Sequence, residues 1–129
     1  MKLLICGLGG AIGSMARYLC VMAATRLLPT EFPFGTLIVN VVGSAMMGIV
    51  VESFAQKSVG SSDISKEILF FLTVGVLGGF TTFSAFSNDF VLLLQKGFLL
   101  KSFTYLVSSV GLSIFALYMG VLLVRSIHQ

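Results

Sequence analysis

The feature that most constrains this chain is a succession of four apolar runs, Leu3–Leu28, Phe34–Ala55, Ile68–Leu94 and Ser102–Val124, parted by short polar breaks. The hydrocarbon core of a bilayer is about 30 Å thick, a distance that about 20 helical residues cross. Each run is long enough. Within lipid the backbone must satisfy its own hydrogen bonds, which excludes unpaired strands and leaves helices. Composition agrees, with 57% hydrophobic and 10% charged residues, whereas a soluble domain carries roughly 25% charged. The expected fold is an all-α membrane protein: one transmembrane domain over residues 1–129, with four transmembrane helices near 3–28, 34–55, 68–94 and 102–124 and lipid for a solvent.

Lys2 ahead of an apolar stretch has the general form of a cleaved signal, but the run is long, rich in glycine and interrupted by Arg17, so it reads as a span. Cys6 and Cys20 both lie in this first run, and their spacing suggests neither a metal site nor a disulfide framework.

An even number of spans leaves both termini on one side, with Lys2, Lys57, Lys66 and Arg125. Arg26, Lys96 and Lys101 fall on the other, toward which Arg17 leans. Orientation normally follows an excess of Lys and Arg facing the cytoplasm, and here there is almost none. The balance predicts insertion in both orientations and pairing with an inverted copy, about a two-fold axis in the membrane plane; the alternative is a single orientation set by something other than charge. Headgroup contacts account for the net charge of +3, and nothing signals nucleic acid.

Gly9 and Gly13 form a GxxxG pair in the first span, which suits close helix packing in lipid. The glycine cluster from Gly7 to Gly13 is not a dinucleotide loop, which would follow a strand. Arg17 lies roughly 21 Å beyond Leu3, still within the core; there it must snorkel or line an aqueous vestibule that concentrates anions. The rigid linker Pro29–Pro33 makes the first two spans antiparallel neighbours. In the second span Asn40 is a lone carboxamide, suited either to an interhelical hydrogen bond or to donating to an anion. Gly43 and Ser44, three and four residues on, share its face and make room for something beside the amide, and Ser44 with Gly48 continues a small-residue seam. Glu52 is placed to reach the interface. The hydrophilic stretch from Gln56 to Glu67 precedes the third span, with Ser65 a plausible helix start, and Lys96-Gly97 divides the third span from the fourth.

The third span carries the strongest signal, Gly75-Val-Leu-Gly78-Gly79-Phe80-Thr81-Thr82-Phe83-Ser84-Ala85-Phe86-Ser87. Three glycines in five positions invite a break, since each costs about 1 kcal/mol against alanine in a helix. Freed carbonyls suit a cation and helix N-termini an anion. Phe80 and Phe83, three apart, are expected to share a face beside Thr81, Thr82, Ser84 and Ser87. Hydroxyls donate to anions, and phenyl rings are electropositive at their edges; the plainer role is packed rings with hydroxyls bonded back along the helix. In the fourth span Tyr105 and Ser109, four apart, either extend this lining or pack helices.

Taken together, Gly9-Gly10-Ala-Ile-Gly13…Arg17-Tyr18, Gly35-Thr36…Asn40…Gly43 and Gly78-Gly79-Phe80-Thr-Thr-Phe83-Ser84 resemble the bacterial fluoride channel family known as Fluc or CrcB, over essentially the whole chain. The resemblance implies a multi-pass protein of the bacterial plasma (inner) membrane. It implies a dual-topology antiparallel homodimer with two fluoride pores and a central structural sodium ion, which conducts fluoride passively and is no enzyme. It assigns the sodium to the backbone carbonyls of Gly75 and Gly78, and the pore to Asn40, Phe80 and Phe83. Thr81, Thr82, Ser84, Tyr105 and Ser109 would complete the polar track, and Arg17 the vestibule. One departure stands out: Ala85 follows Ser84 where the family usually has Thr.

Two other readings fit less well. A proton-coupled small multidrug transporter, also a four-helix dual-topology dimer, needs a first-span carboxylate, and here that span has only Arg17; Glu52 and Asp89 lie near span ends. A non-transporting scaffold explains the glycine seams but not the Phe, Thr and Ser track. Neither a nucleophile–base pair nor a metal-ligand cluster favours an enzyme.

Overall fold

The computed structural model describes residues 1–57 and 62–128. They form α1 (Lys2–Leu27), α2 (Phe34–Gln56), α3 (Asp63–Phe70), a π-helical stretch over Phe71–Leu77, α4 (Gly78–Phe80), α5 (Phe83–Gln95) and α6 (Leu99–Ile127). From α3 to α5 the chain runs as one span, Asp63–Gln95, so four helices are long and apolar enough to cross a membrane. Residues 58–61 of the hydrophilic stretch lie outside the described residues.

Local chemistry sets the ends. Ser62, not Ser65, caps α3: its Oγ accepts the Ser65 N–H at 3.4 Å, with Asp63 in the first turn. At the end of α5, Gly97 takes φ 78°. Its N–H bonds Leu94 O, and the Phe98 N–H reaches back to Leu93 O, both at 3.0 Å. This closing pair of bonds needs the left-handed residue that glycine supplies.

The spans pack as two close pairs, each fixed by glycine. In the first, α1 lies against the third span. A methyl group at Gly9 would come within 2.8 Å of the Gly75 Cα and one at Gly79 within 2.6 Å of Gly10 O, while Gly13 abuts the Val76 backbone. In the second, α2 lies against α6, with Gly48 on the Leu117 backbone and Gly120 facing Ala45 O. The Glu52–Arg125 ion pair, 2.9 Å, joins the C-terminal ends of α2 and α6, so these helices run parallel. Lys101 pairs with Glu31 of the first linker at the opposite end. The charges therefore fall on the two sides anticipated from the span count.

The third span is broken, but not at its glycines. Residues 75–80 remain helical, and the extended residues are Thr81 (φ −82°, ψ 158°) and Thr82 (φ −155°, ψ 119°). Glycine's helix penalty is offset here because the missing side chains let α1 approach backbone to backbone. The break occurs where substitute hydrogen-bond partners are on offer.

Candidate functional site

Two caps hold the break open. The Thr82 Oγ1 accepts the Ala85 N–H at 3.1 Å and so starts α5. Asn40, reaching across from α2, takes both groups of the Thr82 residue: its Oδ1 accepts the Thr82 N–H at 2.8 Å and its Nδ2 donates to Thr82 O at 3.0 Å. In an unbroken helix that N–H would bond Gly78 O. The capture of Thr82 by Asn40 therefore releases the Gly78 carbonyl, and Gly78 is exposed on the chain's surface. Gly75 differs, being buried with its carbonyl already accepting the Gly78 N–H.

Beside the break lies a groove of ≈ 350 Å³, walled by α2, the Thr81–Phe86 segment and α6. Its polar lining is Asn40, Ser44, Thr81, Thr82, Ser109 and Ser113, with no charged side chain. Of the residues singled out in the sequence, it gathers Asn40, Gly43, Thr81, Thr82, Phe83 and Ser109. Phe80, Ser84, Tyr105 and Arg17 do not line it, nor does Ala85, whose contribution is the backbone N–H held by Thr82. Thr81 bonds back to Leu77 O at 2.9 Å, and Ser84 lies 3.2 Å from the Thr82 hydroxyl.

Phe80 and Phe83 do not share a helical face, because the break falls between them. Phe80 ends α4 with its ring against Gly43, filling with Thr81 the room expected beside the Asn40 amide. Phe83 opens α5 and is 76% exposed at the groove's edge. Arg17 is half-buried on α1 and makes no ion pair among the described residues.

Tyr105 is fully buried and donates to Asp89 Oδ2 at 3.2 Å, while Thr36 donates to the same oxygen at 2.7 Å. Asp89 thereby ties α2, α5 and α6 together one turn from Asn40 and Ser109. The sequence reading gave it no part beyond its place near a span end. Thr36 and Asn40, like Tyr105 and Ser109, are four apart, and that shared spacing was the available signal. The rings of Phe32 and Phe86 close around Tyr105 with centroids 5.5 and 5.3 Å away.

Residues 4–121 match the model of the family described as CrcB-like protein, Camphor Resistance. The chain is 50% identical over 125 residues to the fluoride-specific ion channel FluC of Chelativorans sp. (strain BNC1), covering 97% of this chain and 96% of that protein. It is 46% identical over 127 residues to the protein of the same name from Granulibacter bethesdensis, covering 98% and 97% respectively. With its namesake from Rhizobium meliloti it shares 44% identity over 124 residues, 96% of each chain.

Proposed function

The chain belongs to the CrcB-like family, and from that premise we propose that it is a fluoride-selective channel of the bacterial plasma membrane, exporting fluoride passively from the cytoplasm. The observation that carries this reading is the groove at the broken span, whose lining combines a carboxamide and five hydroxyls with no charged group. Fluoride is small and tightly hydrated, so each water it sheds must be replaced by a fixed donor. Neutral donors replace that hydration without the tight binding that a fixed cation would impose, and conduction requires an ion that can leave again. The electropositive edge of the Phe83 ring adds a further weak attraction at the mouth. Chloride, larger and more weakly hydrated, gains less from closely spaced donors.

The groove's carboxamide and hydroxyls, set among Met47, Phe86, Val110, Ile114 and Leu117, are costly to leave against acyl chains. A second, inverted copy of the chain is the natural cover, consistent with the nearly balanced positive charge at the two ends. Such a dimer has two symmetry-related grooves and hence two pores. The exposed Phe83 ring and the released Gly78 carbonyl would both meet the partner.

Sodium fits this arrangement through the backbone. Among the described residues no three His, Cys, Asp or Glu side chains gather, whereas Gly78, exposed on the chain's surface, has a carbonyl freed of its helical partner and Gly75 one remaining lone pair. A cation bound there would pin the two copies together and offset anion repulsion. The rival drug-transport reading needs an accessible carboxylate; Asp89 is held by two hydroxyl donors and lies outside the groove.

The test is efflux from reconstituted liposomes. Fluoride should leave rapidly without proton coupling while chloride stays behind. Equal passage of both halides, or strict dependence on a proton gradient, would overturn the reading.

A further inference from the structure

Several hydroxyls in these spans bond back to the carbonyl one turn earlier, as Thr73 does to Leu69 O (2.8 Å), Ser53 to Ile49 O (2.7 Å), Ser87 to Phe83 O (2.9 Å) and Ser102 to Phe98 O (2.8 Å). This satisfies the hydroxyl without a partner from elsewhere. Ser44, Ser109 and Ser113 form no hydrogen bond among the described residues, and all three line the groove. Ser109 is the plainest case: it is 5% exposed and its buried Oγ has no partner. An unpaired hydroxyl in a low-dielectric interior is costly, so donors left free along one groove are poised for something that occupies it.

Their positions form a ladder. Asn40 and Ser44 lie one turn apart on α2, as Ser109 and Ser113 do on α6, and all four line the groove. At 1.5 Å per residue the second rung lies about 6 Å beyond the first. We propose that Ser44 contacts permeating fluoride directly, as the α2 donor of a second coordination step after Asn40. This rests on the fluoride-channel reading and gives a direct role to a residue that the sequence had placed only beside Asn40 and in a packing seam. Fluoride leaving Asn40 would then pass to a hydroxyl from each wall instead of being rehydrated within the membrane.

The test compares Ser44→Ala, Ser44→Thr and Ser44→Val, with Ser53→Ala as a control whose hydroxyl is bonded back to Ile49. Thr and Val have nearly the same shape, so the pair separates hydroxyl from volume. Each variant is first shown to elute as the same oligomer as the parent, and fluoride efflux from liposomes is then measured. Ser44→Ala and Ser44→Val should conduct about tenfold more slowly, while Ser44→Thr and Ser53→Ala stay within about twofold of the parent. Efflux unchanged in all three Ser44 variants would overturn the proposal, as would an equal loss in Thr and Val. A parent protein that passes no fluoride would overturn the channel reading itself, and this inference with it.

Discussion

Asn40 and Thr82 exchange two hydrogen bonds, 2.8 and 3.0 Å, between a side-chain amide on α2 and the backbone of the broken third span. The carboxamide here takes the place of a helix neighbour, giving an acceptor to an N–H and a donor to a carbonyl that the break would otherwise strand in lipid. Asn40 has one amide hydrogen left, and the residue lines the groove. The same side chain thus holds the break open and, on the proposed function, would offer its remaining donor to the pathway.

Replacing Asn40 by alanine should therefore impair stability and transport together. Leaving a buried backbone group unpaired costs about 1–3 kcal/mol, so the thermal midpoint in detergent should fall and fluoride efflux should drop at least about tenfold. Asn40→Asp keeps the acceptor for the Thr82 N–H but loses the donor and adds negative charge. It should retain more stability than the alanine variant while abolishing efflux. An alanine variant that melts and conducts like the parent would refute the dual role.

Phe83 and Phe86 are adjacent on α5 yet should respond oppositely. Phe83, 76% exposed in the single chain, contributes less to packing within it, so Phe83→Ile should cost far less thermal stability than truncating Phe86 while sharply reducing efflux. Phe86 is 6% exposed and sits in the aromatic cluster with Tyr105. Phe86→Ala should cost about 3–5 kcal/mol, read by thermal unfolding. Unaltered efflux in Phe83→Ile would remove that ring from the pathway.

Glycines at the helix crossings and glycines in open space should separate cleanly. Gly13→Ala and Gly48→Ala place a methyl group into the facing backbone, at Val76 and Leu117 respectively, and should destabilise by several kcal/mol or prevent assembly. Gly111 has nothing near its Cβ position, so Gly111→Ala should be neutral or stabilise the single chain by up to about 1 kcal/mol. Thermal melts of the three variants decide it.

At the opposite end of α6, the Lys101 ammonium holds the Glu31 carboxyl below its ordinary value of 4.5, first through their hydrogen bond and then through charge. A carboxyl whose pKa is lowered by folding stabilises the fold above its unfolded value and loses that contribution as pH falls through the folded one. Glu31 titration, followed by NMR, should have a midpoint below 4.5 that rises toward it in high salt or in Lys101→Met. A midpoint insensitive to both changes would show the pair to be unformed in solution.

Much of the fold was legible because lipid permits few solutions. Run length and the scarcity of charge dictated four membrane-crossing helices, and the Gly9–Gly13 spacing announced a close crossing that the structure places against Gly75 and Val76. The groove was legible in outline, since Asn40, Thr82, Phe83 and Ser109 stood out by chemistry alone. Ser113 did not, and Ser44 did only as a neighbour on Asn40's face: a serine in a span is ordinarily satisfied by its own helix, and only the assembled walls show that these two are not.

What the sequence determined by itself, then, was the number of spans and the residues able to handle an ion, since both follow from composition and spacing along single helices. The tertiary structure decided where the third span breaks and which side chains reach one groove. Glycines 75, 78 and 79 are equally able to open a helix, but α1 packs on that stretch and keeps it helical, while Asn40 offers partners for Thr82 seven residues beyond Gly75. A helix opens where another element can satisfy the backbone it releases, and that element lies 42 residues away in the chain.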